Sequence, residues 1–404
     1  MGSGLRRCVA LGPAGVIYPG SPQDYRVGNN RVWLRESRTR WVRLWADWPS
    51  LMPFADQLDV TRMAALDEQI ARARADGLRI ILTAYRFPTW ANGTDAMTSE
   101  QLAATMADRR TPGQPDTRAK SLLFRYPDDL SPTGAFGRFL ALLIKRYSPN
   151  QPWPSTSVDV LELCNEPNLG WWPQQAPSPT ADPYGQGPIV LHDAIVRIFL
   201  TAKQIADDAR SYIVLAGPGS ADVTTSNRLR TAYDSLAERI LTTLAAADVL
   251  PERRFAWTHH NYADVTYDQG PASTAPDAAT NPARHTNLAA DMRSRLVGRW
   301  AGWPAGDPSN PQLLLTEGGA TLSNMQARYG LSDPADQRRK QAELIQRNWD
   351  RMASDSADGA GIAMSTQYLF YTATYFDSGL CEEYEAGGAT RPSYTTWKGL
   401  ASAV

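Results

Sequence analysis

Apolar and polar positions along the chain switch repeatedly between two periods. Short runs rich in Val, Ile, Leu, Trp and Thr predict strands at Cys8 to Leu11, Arg40 to Leu44, Leu78 to Thr83 and from Val158 toward Asn165. Four more are predicted at Tyr212 to Ala216, Phe255 to Asn261, Gln312 to Thr316 and Gly361 to Phe370. Between them lie helical patterns. One runs from Val60 to Asp76, with Met63, Leu66, Ile70 and Ala73 on one face and Gly77 as its stop. Another opens at Ser131-Pro132, an N-cap and first-turn proline, ahead of a stripe of Phe136, Phe139, Leu140, Leu143 and Ile144. Ile189 to Arg210 and Pro334 to Met352 complete the set. Eight strands alternating with helices predict an α/β fold, a (β/α)8 TIM barrel. The polar stretch from Asn92 to Asp129 is expected to be a long loop on the catalytic face, where such loops build substrate walls.

Two of the strand-like segments carry carboxylates. Val158 to Trp172, VDVLELCNEPNLGWW, places Glu166 where its apolar run gives way to a loop, and Pro311 to Gly319, PQLLLTEGG, does the same for Glu317. Their separation, 317 − 166 = 151 residues, is too long for a hairpin and suits barrel strands several units apart. All eight strands of such a barrel point their C-terminal ends at one face, so the two glutamates converge there. Glycoside hydrolysis needs such a pair. One carboxylic acid protonates the leaving oxygen, and a carboxylate attacks the anomeric carbon from roughly 5 Å or activates a water from further away.

Composition narrows the partners. At 404 residues and 44.5 kDa the chain is expected to form one catalytic domain over 1–404. With 41 basic and 42 acidic residues and a net charge of −1, nothing favours nucleic acid or an anionic membrane. A neutral carbohydrate or glycoside is the expected partner, and the sequence does not indicate an oligomeric state. The three cysteines, Cys8, Cys164 and Cys381, make neither a disulfide framework nor a zinc pattern, and Cys164 beside the Asn-Glu pair reads as packing. None of the histidines His192, His259, His260 and His285 has metal-ligand spacing, and no Gly-rich phosphate loop follows a strand, so no metal and no cofactor is expected. No apolar run approaches the ~18 residues of a membrane span. The two arginines and weakly apolar stretch at the start lack a cleavage site. The expectation is a soluble cytoplasmic protein, or a secreted one if Met1 to Gly4 replaces a removed signal.

The motifs resemble those of clan A, the retaining (β/α)8 glycoside hydrolases that include families 39 and 5. Asn165-Glu166-Pro167-Asn168 matches the Asn-Glu pair after strand four, and Thr316-Glu317 matches the glutamate after strand seven. The NEPN tetrad, Pro88-Thr89-Trp90-Ala91, and Arg391-Pro392-Ser393-Tyr394 with Trp397 give a family 39 flavour. The resemblance implies Glu166 as acid/base, Glu317 as nucleophile and Asn165 as a hydrogen-bond partner of the sugar 2-hydroxyl. His260-Asn261-Tyr262 resembles a His-X-Tyr motif in which the tyrosine hydroxyl holds the nucleophile. Arg43 resembles the arginine that keeps it ionised.

Thirteen tryptophans supply aromatic faces on which a sugar's CH groups stack. Trp45, Trp48, Trp90, Trp171 and Trp172 are sugar platforms or loop anchors. Asp47 binds a sugar hydroxyl or caps a turn, and Tyr371 is open in the same way. The stretch from Leu169 to Gly187 is expected to wall off one end of the site. Three functions are compatible with these residues: retaining hydrolysis of a β-linked glycoside, an α-L-arabinofuranosidase on the same machinery, and a carbohydrate-binding barrel without catalysis.

Overall fold

The structure, a computed structural model, describes residues 5–102, 123–150, 156–169, 189–224, 231–246, 255–266, 288–296, 313–357, 362–373, 376–384 and 387–400. Eight strands form a closed parallel barrel in sequence order: β1 Arg6–Ala10, β2 Trp41–Asp47, β3 Arg79–Tyr85, β4 Val160–Glu162, β5 Val214–Ser220, β6 Phe255–His260, β7 Leu313–Glu317 and β8 Ile362–Tyr368. β1 pairs with β2 (Ala10 opposite Arg43) and with β8 (Ala10 opposite Tyr368), and β4 pairs with β5 (Glu162 opposite Ala216). Most of these strands are buried along their whole length, because a strand covered on both faces reads as a continuous apolar run.

All eight strands lie where the sequence predicts them, with shifts at their ends. β2 and β3 run two or more residues further than expected, which puts Trp45, Asp47 and Tyr85 on strands. β4 is only three residues long, so Glu166 stands in the following loop and not at the strand end. Glu317 is the last residue of β7.

The helices obey the apolar pattern. In Val60–Ala75, Met63, Leu66, Ile70 and Ala73 are buried. Its end is a Schellman turn: Gly77, at φ +78°, donates to the Arg74 carbonyl and Leu78 to that of Ala73. In Ala135–Tyr147 the five predicted stripe residues are all buried. Each such side chain contributes roughly 1.5–3 kcal/mol when fully removed from water. Ser131-Pro132 does not start that helix. Ser131 closes a turn, accepting from the Gly134 amide on both its carbonyl and its hydroxyl, and the helix begins after Gly134.

Two compact units divide the chain: 1–44 with 71–81 and 256–404, and 45–70 with 82–255. No helix among the described residues is long and apolar enough to cross a membrane.

Candidate active site

In the first unit the site is built around the end of β7. Glu317 is 5% exposed and both its carboxylate oxygens are engaged. The fully buried guanidinium of Arg43, from β2, donates to Oε1 at 2.5 Å, and the Tyr262 hydroxyl donates to Oε2 at 2.7 Å. Charge-assisted bonds of this kind are short and directional, so they fix the plane of the carboxylate. His260 Nδ1 lies 3.7 Å from Oε2, beyond hydrogen-bond range. Its side chain is fully buried and its ring meets Tyr262 edge-on at 6.3 Å. The tyrosine ring is also packed edge-on by Tyr368 at the end of β8 and by Phe376.

The backbone prepares this geometry. Between His259 and His260 the pairing of β6 with β7 slips by one residue, so His260 faces Glu317. The next amide, Asn261, donates to the Glu317 carbonyl at 3.0 Å. Tyr262 then opens a short helix, Tyr262–Thr266.

In the second unit, the loop after β4 holds Asn165 and Glu166. Asn165 is 6% exposed, and Glu166 is partly exposed with φ +48°. A side chain other than glycine in that region costs on the order of 1–3 kcal/mol and persists only where neighbours impose it. Here the Glu166 amide donates to the Gly219 carbonyl at 2.8 Å, at the end of β5. Asn168, fully buried, fastens the same loop. Its Nδ2 donates to the carbonyls of Ala221 (2.8 Å) and Thr231 (3.0 Å), and its Oδ1 accepts from the Ala221 amide (2.9 Å). The fourth residue of the NEPN tetrad is therefore a strap that sets the conformation of the second.

Cys164 is buried, and burial pushes its thiol up, with the Glu162 charge adding to the effect. That environment agrees with packing and not with a thiolate nucleophile.

The remaining predicted residues resolve unevenly. Asp47 is fully buried and committed to protein partners: Arg86 binds it with two bonds, at 2.7 and 2.8 Å, and Ser50 donates to it as well. Trp90 donates its indole N–H to the Met52 carbonyl at 3.1 Å and packs edge-on against Trp48, whose ring stacks on Phe139 at 5.0 Å. These two rings anchor a loop to the helix Ala135–Tyr147. Trp45, 3% exposed, meets the Tyr85 ring edge-on at 4.7 Å, and Arg86 lies over that tyrosine. Tyr371 is buried, its hydroxyl accepting from the Asn29 amide at 3.4 Å. Trp171, Trp172, most of the Leu169 to Gly187 stretch and 103–122 of the expected insertion lie outside the described residues.

Some buried carboxylates escaped the sequence reading. Glu162, the last residue of β4, accepts from Thr83 Oγ1 on β3 at 2.6 Å and is fully buried. It stands in the same VLELCNE run as Glu166, and the alternation that points it inward was its only signal.

Neither a family profile nor a curated protein sequence matches the chain. Solved structures do. A family 39 glycoside hydrolase from the gut symbiont Bacteroides cellulosilyticus WH2 superposes with a TM-score of 0.51 at 14% identity, covering 99% of this chain and 64% of that one. A GH5-4 broad-specificity endoglucanase from Clostridium acetobutylicum gives 0.52 at 13% identity, over 98% and 99% of the two chains. A beta-glucosidase from Exiguobacterium marinum gives 0.56 at 10% identity, over 98% of each. At these identities the likeness shows the fold. The protein is a (β/α)8 barrel. Its structural neighbours are glycoside hydrolases, families 39 and 5 among them.

Proposed function

We propose that the protein is a retaining glycoside hydrolase acting on a β-linked glycoside, with one catalytic domain over 1–404. The carrying observation is Glu317, which ends β7 with one oxygen on a buried arginine and the other on a tyrosine hydroxyl. A carboxylate so oriented and charge-balanced is prepared to attack carbon. Glu166, in the loop after β4, supplies the second carboxyl group that the reaction needs, since a parallel barrel collects the C-terminal ends of its strands on one face.

In the first step a Glu317 carboxylate oxygen bonds to the anomeric carbon while the glycosidic C–O bond breaks and Glu166 gives its proton to the departing oxygen. In the second, Glu166 takes a proton from water, the water oxygen bonds to the anomeric carbon, and the bond to Glu317 breaks. Asn165 supports the reading as a buried amide next to the acid, suited to a sugar hydroxyl. No step of the proposed reaction calls on a metal.

A panel of p-nitrophenyl glycosides tests it, covering β-pyranosides, disaccharide glycosides and α-L-arabinofuranoside. Wild type is expected to release nitrophenol from at least one, and Glu317→Ala from none. Glu166→Ala is expected to keep the first step with activated aryl substrates and lose it with unactivated ones. Equal loss on both classes contradicts the role given to Glu166. Turnover of the arabinofuranoside alone would assign that sugar to the same machinery.

A further inference from the structure

Asn261 separates the two residues of the His-X-Tyr motif, and its environment is unusual on three counts. Its backbone amide donates to the Glu317 carbonyl at 3.0 Å, the last rung between the chain after β6 and the end of β7. Its side chain is fully buried, and Oδ1 accepts no hydrogen bond from the described residues. That same Oδ1 stands 2.4 Å from the point where a Cβ on residue 318 would lie, so a side chain there requires one of the two to move. A buried acceptor without a donor is costly, and such costs are kept where geometry demands them.

The other end of the amide points outward. Nδ2 lies 3.5 Å from Asn348 Oδ1 on the helix Pro334–Ala357, and Asn348 in turn accepts from Arg351 Nη2 at 3.0 Å. Arg351 Nη2 also donates to the Asp264 carbonyl at 2.8 Å, inside the short helix that begins with Tyr262. The polar chain thus returns to the element that carries the tyrosine.

We propose that Asn261 is a positioning residue: wedged against Gly318 and tied to the outer helix, it sets the turn after Glu317 so that the carboxylate meets Arg43 and Tyr262 together. The inference rests on the reading of Glu317 as nucleophile, and it concerns how that group is held. Asn261 and Gly318 form a matched pair, large against small. A methyl group at 318 must displace either the wedge or the end of β7.

The test is a suppressor experiment on the full chain with Gly318→Ala, Asn261→Ala and the double variant, each followed by crystal structure and by kcat and KM on the best aryl glycoside. Gly318→Ala is expected to break the 2.7 Å Tyr262 to Glu317 hydrogen bond. It should lower kcat by roughly 10- to 100-fold with KM little changed, as expected for a misplaced reacting group. In the double variant the added methyl group takes up space left by the removed amide, which is expected to restore the bond and most of the rate. A general packing defect would instead make the double variant worse. Unchanged geometry and kcat in Gly318→Ala, or a double variant no better than it, overturns the proposal. If Gly318→Ala does not fold, Asn261→Ala decides alone: a lengthened Tyr262 to Glu317 contact with reduced kcat supports the clamp, and wild-type geometry and rate overturn it. If the wild type hydrolyses nothing while the crystal structures follow the expected order, the functional reading falls and the clamp stands.

Discussion

At the scale of single residues, Tyr262 is the clearest lever on Glu317. It gives one hydrogen bond to a charged group, a contact whose loss costs about 1.5–3 kcal/mol. Tyr262→Phe is therefore expected to reduce kcat/KM on the best aryl glycoside by roughly 10- to 100-fold while the ring packing is kept. An unaffected rate would remove the tyrosine from the mechanism. Asn168→Ala has the opposite signature. It leaves two carbonyls and one amide without their partner in a buried loop, so stability is expected to fall by about 1–3 kcal/mol in chemical denaturation. Activity should fall with it as the strained Glu166 conformation relaxes. The places of Glu166 and Glu317 around the ends of strands four and seven were legible in strand alternation, whereas Tyr262 and Arg43 entered only through the resemblance of their motifs. The protein partners of Asp47, Trp90 and Tyr371 could not be read from the sequence. Folding supplies them: Arg86 and Ser50, the Met52 carbonyl, and the Asn29 amide.

At the scale of elements, periodicity located the strands and long helices but not their ends. β4 stops after three residues although its apolar pattern continues to Cys164, because the loop that follows must turn to present Glu166. Ser131-Pro132 has the composition of a helix start, yet the turn it forms delays the helix to Ala135. The helix Leu288–Leu296 is capped by Asp264, which accepts from the Leu288 and Ala289 amides at 2.7 and 3.0 Å. No local pattern announces a cap from so far along the chain. Where the stop was local, it was readable: Gly77 has the left-handed φ that a Schellman turn requires and open space around it. Gly77→Ala is accordingly expected to cost about 1–2 kcal/mol, through backbone strain and not through a clash. A denaturation midpoint equal to wild type would contradict that.

At the scale of the whole molecule, the pattern of eight strands and intervening helices was enough to specify the barrel. What holds distant segments together was hidden. Asp76, just past the helix Val60–Ala75, accepts two bonds from Arg31 and one from Tyr25. The Arg31 hydrogen bond holds its carboxyl below the usual range against the opposing effect of burial. A carboxyl depressed on folding contributes stability that is fully present above its unfolded pKa, about 3.9, and is lost as pH falls through the folded value. The stability difference between wild type and Asp76→Asn is therefore expected to be constant from about pH 5 to neutrality and to shrink below about pH 4. A difference that grows on acidification would contradict the assignment. The central claim, that Glu317 forms a covalent bond to the sugar, is tested most directly by trapping that bond. The protein would be incubated with an activated 2-deoxy-2-fluoro β-glycoside of the sugar chosen by the aryl panel, then digested and mapped by mass spectrometry. The account predicts one sugar per chain, on the peptide and side chain of Glu317. A label on another residue, or active protein that hydrolyses its substrate with inversion and never takes the label, would contradict it.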